Sequence, residues 1–99
     1  MNALRLTEEE HAEAFERYAN ARYQVELYTM QILPDAKQSL DIVQKGYSAG
    51  EFSFLSLLLA QRTNVQTNLM YIESLRQLRA AEVAIDGLLL VSEAASEMK

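Results

Sequence analysis

The chain has 99 residues, enough for one domain. Its 9 Lys and Arg residues against 14 Asp and Glu residues give a net charge of −5, which argues against nucleic-acid binding through a basic surface. It has no Cys and a single His, His11, so disulfides, thiolate metal sites and multi-histidine metal sites are excluded. Because no nucleophile, base and orienting group occur at a readable spacing, we expect neither enzyme activity nor a cofactor.

The N-terminal residues carry no targeting pattern. Residues 1–6 run directly into Thr7 and Glu8–Glu10 without the apolar segment of a signal peptide. The apolar runs at Leu57–Ala60 and Leu88–Val91 fall far short of the roughly 20 residues that a membrane-spanning helix needs. We therefore expect no transmembrane segment and, for the chain expressed as written, a cytoplasmic location.

A first helix is predicted over residues 7–47. Thr7 and Glu10 fit a capping box at its start. Pro34 lies inside the pattern, and because the apolar stripe continues in phase through it, we expect one kinked helix. The stripe spans 32 residues in nine turns, which is helical periodicity, at Phe15, Tyr18, Val25, Tyr28, Ile32, Ala36, Leu40, Val43 and Tyr47.

A turn is predicted over residues 48–52 and a second helix over residues 53–91. Gly50 can adopt the left-handed conformation that ends a helix, and Ser53 is a suitable N-cap. A turn this short makes the helices antiparallel, so the fold class is all-α, a long two-helix coiled-coil hairpin. The second apolar stripe is predicted at Leu55, Leu58, Val65, Leu69, Ile72, Leu75, Leu78, Ile85 and Leu89.

The sequence has more apolar surface than one helix–helix seam can cover. Leu57, Leu58 and Leu59 are consecutive and point about 100° apart on a helix, so one partner helix cannot bury all three. Further apolar residues lie off the first stripe, at Tyr23, Leu27, Met30 and Leu33. This surplus predicts additional helices, supplied by copies of the chain or by a larger protein.

Residues 46–63, GYSAGEFSFLSLLLAQRT, resemble the periplasmic tip of the TolC-type outer-membrane efflux protein family. The segments Ile32–Ala36, Tyr71–Leu75 and Ala81–Leu89 are similar to neighbouring parts of the same family hairpin, so the resemblance covers about residues 25–90. The ending Gly87–Leu90 is similar to heavy-metal or cation efflux members. The tip pattern is matched at Tyr47, Gly50, Ser53, Leu57, Leu58, Ala60 and Gln61.

The resemblance implies a trimer whose hairpins form a hollow helical barrel in the periplasm, below the outer membrane. The hairpin tips of such proteins meet a periplasmic adaptor, which links the channel to an inner-membrane pump. Carried onto this chain, Glu51 would pair with a basic adaptor residue. The implied adaptor-contacting residues are Ser48, Ala49, Gly50, Glu51 and Phe52.

Two functional readings stay open at this point. The family's membrane-embedded strands, its first hairpin and its signal peptide have no counterpart in the sequence, which predicts a fragment of a larger channel protein. The alternative is a stand-alone coiled-coil hairpin that acts as a structural self-association module. In that alternative, Gly50 is only a turn glycine and Pro34 only a kink.

Overall fold

A computed structural model describes residues 2–97, without the side chains of residues 2–7, Ser92 and Ala95. Three α-helices follow one another: α1 (Asn2–Leu27), α2 (Leu33–Ser48) and α3 (Phe54–Glu97). A π-helical segment, Tyr28–Ile32, joins α1 to α2 without a break, so the three helices form two continuous rods.

The two rods pack side by side as a hairpin. Both α1 and α2 contact α3 along its length, and the molecule measures 74 × 19 × 18 Å. The predicted all-α helical hairpin is confirmed, and residues 2–97 contain no strand. Within that range, no helical stretch is long and apolar enough to cross a lipid bilayer.

The helices extend beyond their predicted outer ends. The first rod begins at Asn2 and runs through Thr7, so Thr7 does not start the helix. The Thr7 side chain, and with it the predicted capping box, lies outside the described residues. The second rod continues to Glu97, because Asp86 and Gly87 do not interrupt it and the following residues include alanines and glutamates, which are good helix formers.

Pro34 is accommodated by the π-helical segment that precedes it. The Leu33 N–H donates to the carbonyl oxygen of Tyr28, five residues back, where an α-helix would use the fourth. A proline ring clashes with the carbonyl four residues before it, which is Met30 here, and a wider turn relieves that crowding. The chain thus stays helical through Pro34, as the in-phase stripe predicts.

The face of α3 that packs on the first rod differs from the predicted stripe. Of the predicted residues, only Leu75, Leu78 and Ile85 are half-buried, whereas Leu55, Leu69 and Ile72 are about 60% exposed. The observed seam repeats every seven residues in alternating steps of three and four, a spacing typical of coiled coils. It consists of Leu57, Ala60, Asn64, Thr67, Tyr71, Ser74, Leu78, Ala81, Ile85 and Leu88.

The prediction was better for the first rod. Seven of the nine predicted stripe residues are half-buried, and only Phe15 and Tyr47 are largely exposed. Along the first rod, the seam residues Tyr28, Ile32, Ala36 and Leu40 follow one another at intervals of four residues. An alternation of four, three and four residues would need one residue fewer. The π-helical segment takes up that extra residue, which keeps the stripe on α3.

The most deeply buried residues are small. Ala14, Ala21 and Ala81 are 7–8% exposed and form the hydrophobic core of the described residues. Ser74 is 4% exposed, and its hydroxyl donates to the Tyr71 carbonyl oxygen at 2.7 Å, so its burial leaves no unmet donor. Small side chains allow the rods to approach closely but bury little apolar area.

Candidate functional site

The end of the hairpin is closed by a hydrogen-bonded turn around Gly50. The Gly50 N–H donates to the Tyr47 carbonyl oxygen at 3.0 Å, and the Glu51 N–H donates to that of Gly46 at 2.7 Å. Gly50 has φ = 79°, in the left-handed region. This pair of bonds is the Schellman arrangement, which satisfies carbonyl groups that a helix C-terminus leaves free. The sequence-based role of Gly50 as the turn residue is confirmed.

Ser53 begins the second rod, as the sequence predicts. Its hydroxyl oxygen accepts the Ser56 N–H at 3.2 Å, and its carbonyl oxygen accepts the Leu57 N–H at 3.2 Å. The hydroxyls of Ser53 and Ser56 also lie 3.1 Å apart, within hydrogen-bond distance. These contacts define Ser53 as the N-cap of α3 and limit the turn to residues 49–52.

Aromatic rings pack beside the turn. The Phe52 ring lies against Gly46, which is buried at the end of α2, and a Cβ atom at Gly46 would overlap its Cδ2 and Cε2 atoms. The rings of Tyr47 and Phe54 pack 6.0 Å apart, joining α2 to α3 just behind the turn. The roles of Gly46 and Phe54 were not predicted from the sequence. For Gly46, the available signal was an aromatic residue, Phe52, six positions later.

The predicted contact residues lie together on the exposed end of the hairpin. Ser48, Ala49, Gly50 and Glu51 are exposed, and Phe52 is 40% exposed. We call Ser48–Phe52 the tip. Behind it, Lys45 pairs with Asp41 at 3.0 Å, whereas Glu51 takes part in no ion pair among the described residues. The tip therefore presents one unpaired carboxylate beside an aromatic edge.

A second surface lies along α3 on the side opposite the seam. Each of its residues precedes a seam residue by two positions, which is about 200° around the helix. Tyr23 and Met30, at 65% and 81% exposure, occupy the same relation to the seam of the first rod. We call the α3 surface the outer flank. Of the ten residues at such positions in α3, four are charged: Arg62, Arg76, Arg79 and Asp86. The outer flank consists of the other six, which are apolar and 44–69% exposed: Leu55, Leu58, Val65, Leu69, Ile72 and Val83.

Charged side chains elsewhere form short pairs within one helix. Arg76 donates to both carboxylate oxygens of Glu73, at 3.0 and 2.7 Å, and this bonding lowers the pKa of Glu73 below its ordinary value. Such exposed pairs contribute little to stability. In the part of the chain that the structure describes, no three His, Cys, Asp or Glu residues come together in a way that could hold a metal ion.

The fold and its surfaces define a long helical hairpin with an exposed tip and an apolar flank. Over 58 residues, 59% of its length, the chain is 38% identical to the cobalt-zinc-cadmium resistance protein CzcC of Cupriavidus metallidurans. The match covers 14% of CzcC, so the chain corresponds to a small part of that protein. No family model matches the chain, and no solved structure matches it.

The match to CzcC agrees with the resemblance to efflux proteins at the level of metal resistance. The name of this relative describes resistance to cobalt, zinc and cadmium and no catalytic activity. The match therefore shows that the chain is similar to part of a metal-resistance protein.

Proposed function

We propose that the chain forms the periplasmic hairpin of a TolC-like outer-membrane efflux channel that serves heavy-metal or cation efflux. Several copies, three by the family resemblance, pack side by side into a helical barrel, and the tips dock a periplasmic adaptor that couples the barrel to an inner-membrane pump. The chain is then one hairpin of a longer channel protein. The observation that carries this proposal is the outer flank, which places six exposed, large apolar residues on the side of α3 opposite the seam.

A helix within a closed barrel has a neighbour on each side, and α3 has the matching pattern. Its seam packs on the first rod, while the outer flank, about 200° away, has no neighbour among the described residues. On the first rod, Tyr23 and Met30 are exposed, large apolar residues at equivalent positions. A hairpin that remained a monomer would gain nothing from leucine and isoleucine at these positions.

The total exposed area agrees with packing against two neighbours. The chain exposes 7967 Å², whereas a compact protein of 11.2 kDa exposes roughly 5,700 Å². The excess of about 2,300 Å² exceeds the roughly 800 Å² per partner that one stable interface buries. A hairpin with a second copy on either side would use this surface.

The tip supports the docking part of the proposal. It combines a turn held in one conformation with an exposed aromatic edge at Phe52 and an unpaired carboxylate at Glu51. An apolar contact bordered by a charge is the usual composition of a protein interface, where the charge orients the partner. The match to a cobalt-zinc-cadmium resistance protein supports heavy-metal cations as the exported class.

Binding to an adaptor tests the proposal directly. The 99-residue chain would be immobilised and titrated with the purified periplasmic adaptor of a cobalt-zinc-cadmium efflux system. We expect saturable binding that Glu51→Lys weakens by reversing the charge at the tip, whereas Glu82→Lys, the same change on the body of α3, leaves it unaltered. Binding that both variants reduce equally would contradict docking at the tip.

The alternative function, a stand-alone self-association module, is favoured by the same outer flank. It predicts association between copies but no adaptor binding. Sedimentation analysis of the chain measures the first property and the titration measures the second. Self-association without adaptor binding would therefore favour the alternative.

A further inference from the structure

Two constraints at the hairpin tip converge on Gly46. Its carbonyl oxygen accepts the backbone N–H groups of Glu51 at 2.7 Å and Phe52 at 3.3 Å. The Phe52 ring lies over its Cα, in the space that any other side chain would fill. Phe52 is thus attached to the end of α2 through both its backbone and its ring.

The glycines at 46 and 50 are needed for different reasons. Gly50 has φ = 79°, and a Cβ atom there would meet nothing within 4 Å. Glycine is therefore needed at position 50 for its backbone conformation and not for space. Gly46 lies in the helical part of the chain, where alanine is accepted by the backbone, so its requirement is space for the ring. The second requirement concerns the position of the Phe52 ring.

The Phe52 ring also forms part of the exposed tip. One side of it covers Gly46, and 40% of the residue is left exposed at the end of the hairpin. Aromatic side chains that are already held in place bind partners well, because little conformational freedom remains to be lost on binding. A ring fixed on Gly46 is in that condition before any partner arrives.

We propose that Gly46 is a positioning residue for partner docking: it holds the Phe52 ring as a preformed contact for the adaptor. The assignment rests on the proposed docking function. Gly46 acts through Phe52 and does not itself touch the partner. Its replacement therefore weakens docking without weakening the hairpin, which separates positioning from a structural role.

The first test measures the contact between Gly46 and the Phe52 ring in the absence of a partner. In the NMR spectrum of the full chain, we expect a Gly46 Hα resonance to lie further upfield than in Phe52→Leu, because it faces the Phe52 ring. Gly87→Ala should leave the Gly46 resonances unchanged, since a Cβ at Gly87 meets nothing within 4 Å. Gly46 Hα resonances that Phe52→Leu does not move downfield would overturn the proposal.

The second test measures docking with the same purified adaptor. We expect Gly46→Ala and Phe52→Ala each to weaken binding about tenfold, a difference of about 1.4 kcal/mol, with no drop in thermal midpoint for Gly46→Ala. The double variant should bind no more weakly than Phe52→Ala alone, because both changes remove the same ring contact. Gly87→Ala, the matched helix glycine, should bind like the unmodified chain.

The outcomes separate the two proposals. If the unmodified chain binds the adaptor and Gly46→Ala binds equally well, the positioning role is wrong and docking stands. If Gly46→Ala lowers both binding and the thermal midpoint, Gly46 is structural and the positioning role is again wrong. If the unmodified chain does not bind, the docking function fails, and the role of Gly46 fails with it even where the NMR shift is present.

Discussion

The backbone N–H of Leu33 donates its hydrogen bond to the carbonyl oxygen of Tyr28, five residues back, immediately before Pro34. This single wide turn serves two needs. It gives the proline ring room beside the preceding turn, and it absorbs the extra residue that the seam contains between Tyr28 and Leu40. The π-helical segment therefore has a cause in the proline and a second, independent cause in the spacing of the seam.

Replacing Pro34 tests how much of the cost of the proline the wide turn relieves. We expect Pro34→Ala to stabilise the chain by about 1 kcal/mol, below the roughly 3 kcal/mol that a proline costs inside an α-helix, because the wide turn already relieves most of the clash. Urea unfolding followed by circular dichroism measures the change. Lys37→Ala, an exposed helical site, is the control. A gain near the full proline cost would show that the wide turn relieves nothing.

The N-cap at Ser53 is expected to contribute measurably to stability. Ser53→Ala removes the acceptor of the Ser56 N–H and should destabilise the chain by about 1 kcal/mol, while Ser53→Asp should retain most of the stability. Chemical unfolding compares these variants with Ser39→Ala, an exposed serine inside α2. Equal stability of Ser53→Ala and the unmodified chain would contradict the assigned cap.

Alanine at two glycines should change stability in opposite directions. Gly50→Ala places a side chain on a residue with φ = 79° and should cost about 1 kcal/mol. Gly87→Ala lies in the open helix of α3 and should gain about 0.5–1 kcal/mol, because alanine loses less backbone freedom on folding. Thermal and urea unfolding of both variants check the signs. A gain at Gly50 would be inconsistent with the left-handed turn.

The seam should be intolerant of bulk at its alanines. Ala81 is 8% exposed, and Ala81→Leu should destabilise the hairpin by about 1–3 kcal/mol by forcing the rods apart. The adjacent Ala80 is exposed and provides a matched control, since Ala80→Leu should change stability little. The difference between the two unfolding free energies measures the effect. If both leucines were tolerated equally, the assignment of the seam would be wrong.

The outer flank should govern association between copies. We expect the chain to melt at a temperature that rises with protein concentration, as self-association requires. Replacing Leu58 and Ile72 by glutamine should remove that dependence while the helical circular dichroism is retained, because both residues lie outside the seam. A concentration-independent melt of the unmodified chain would contradict the role assigned to the flank.

The sequence was sufficient for the fold but not for the face that α3 turns inward. Helical periodicity, Gly50 and Ser53 predict two rods and their turn, because these are local properties of the chain. The seam of α3 could not be read in the same way, since the bulkier stripe through Leu58, Val65 and Ile72 was the stronger apolar signal. The less apolar stripe through Ala60, Thr67 and Ser74 is the one that packs on the first rod.

The candidate site was predicted in part. The position of the tip followed from the turn residues, which need no knowledge of packing. The contact between Gly46 and Phe52 depends on how the chain folds back after Gly50, and a helical glycine looks unremarkable in a sequence. A glycine that is required because another side chain occupies the place of its own Cβ cannot be recognised from the sequence alone.

The seven-residue repeat of small side chains along α3 has a mechanical consequence. A sliding movement of one rod by seven residues, about 10 Å, would bring equivalent seam positions opposite each other again. Such slippage would separate the rings of Tyr28 and Tyr71, which pack 6.4 Å apart between the rods, so this contact and the closed turn hold the alignment over the 74 Å length. A change at the turn that moved one rod along the other would therefore shift the far ends of the rods relative to each other.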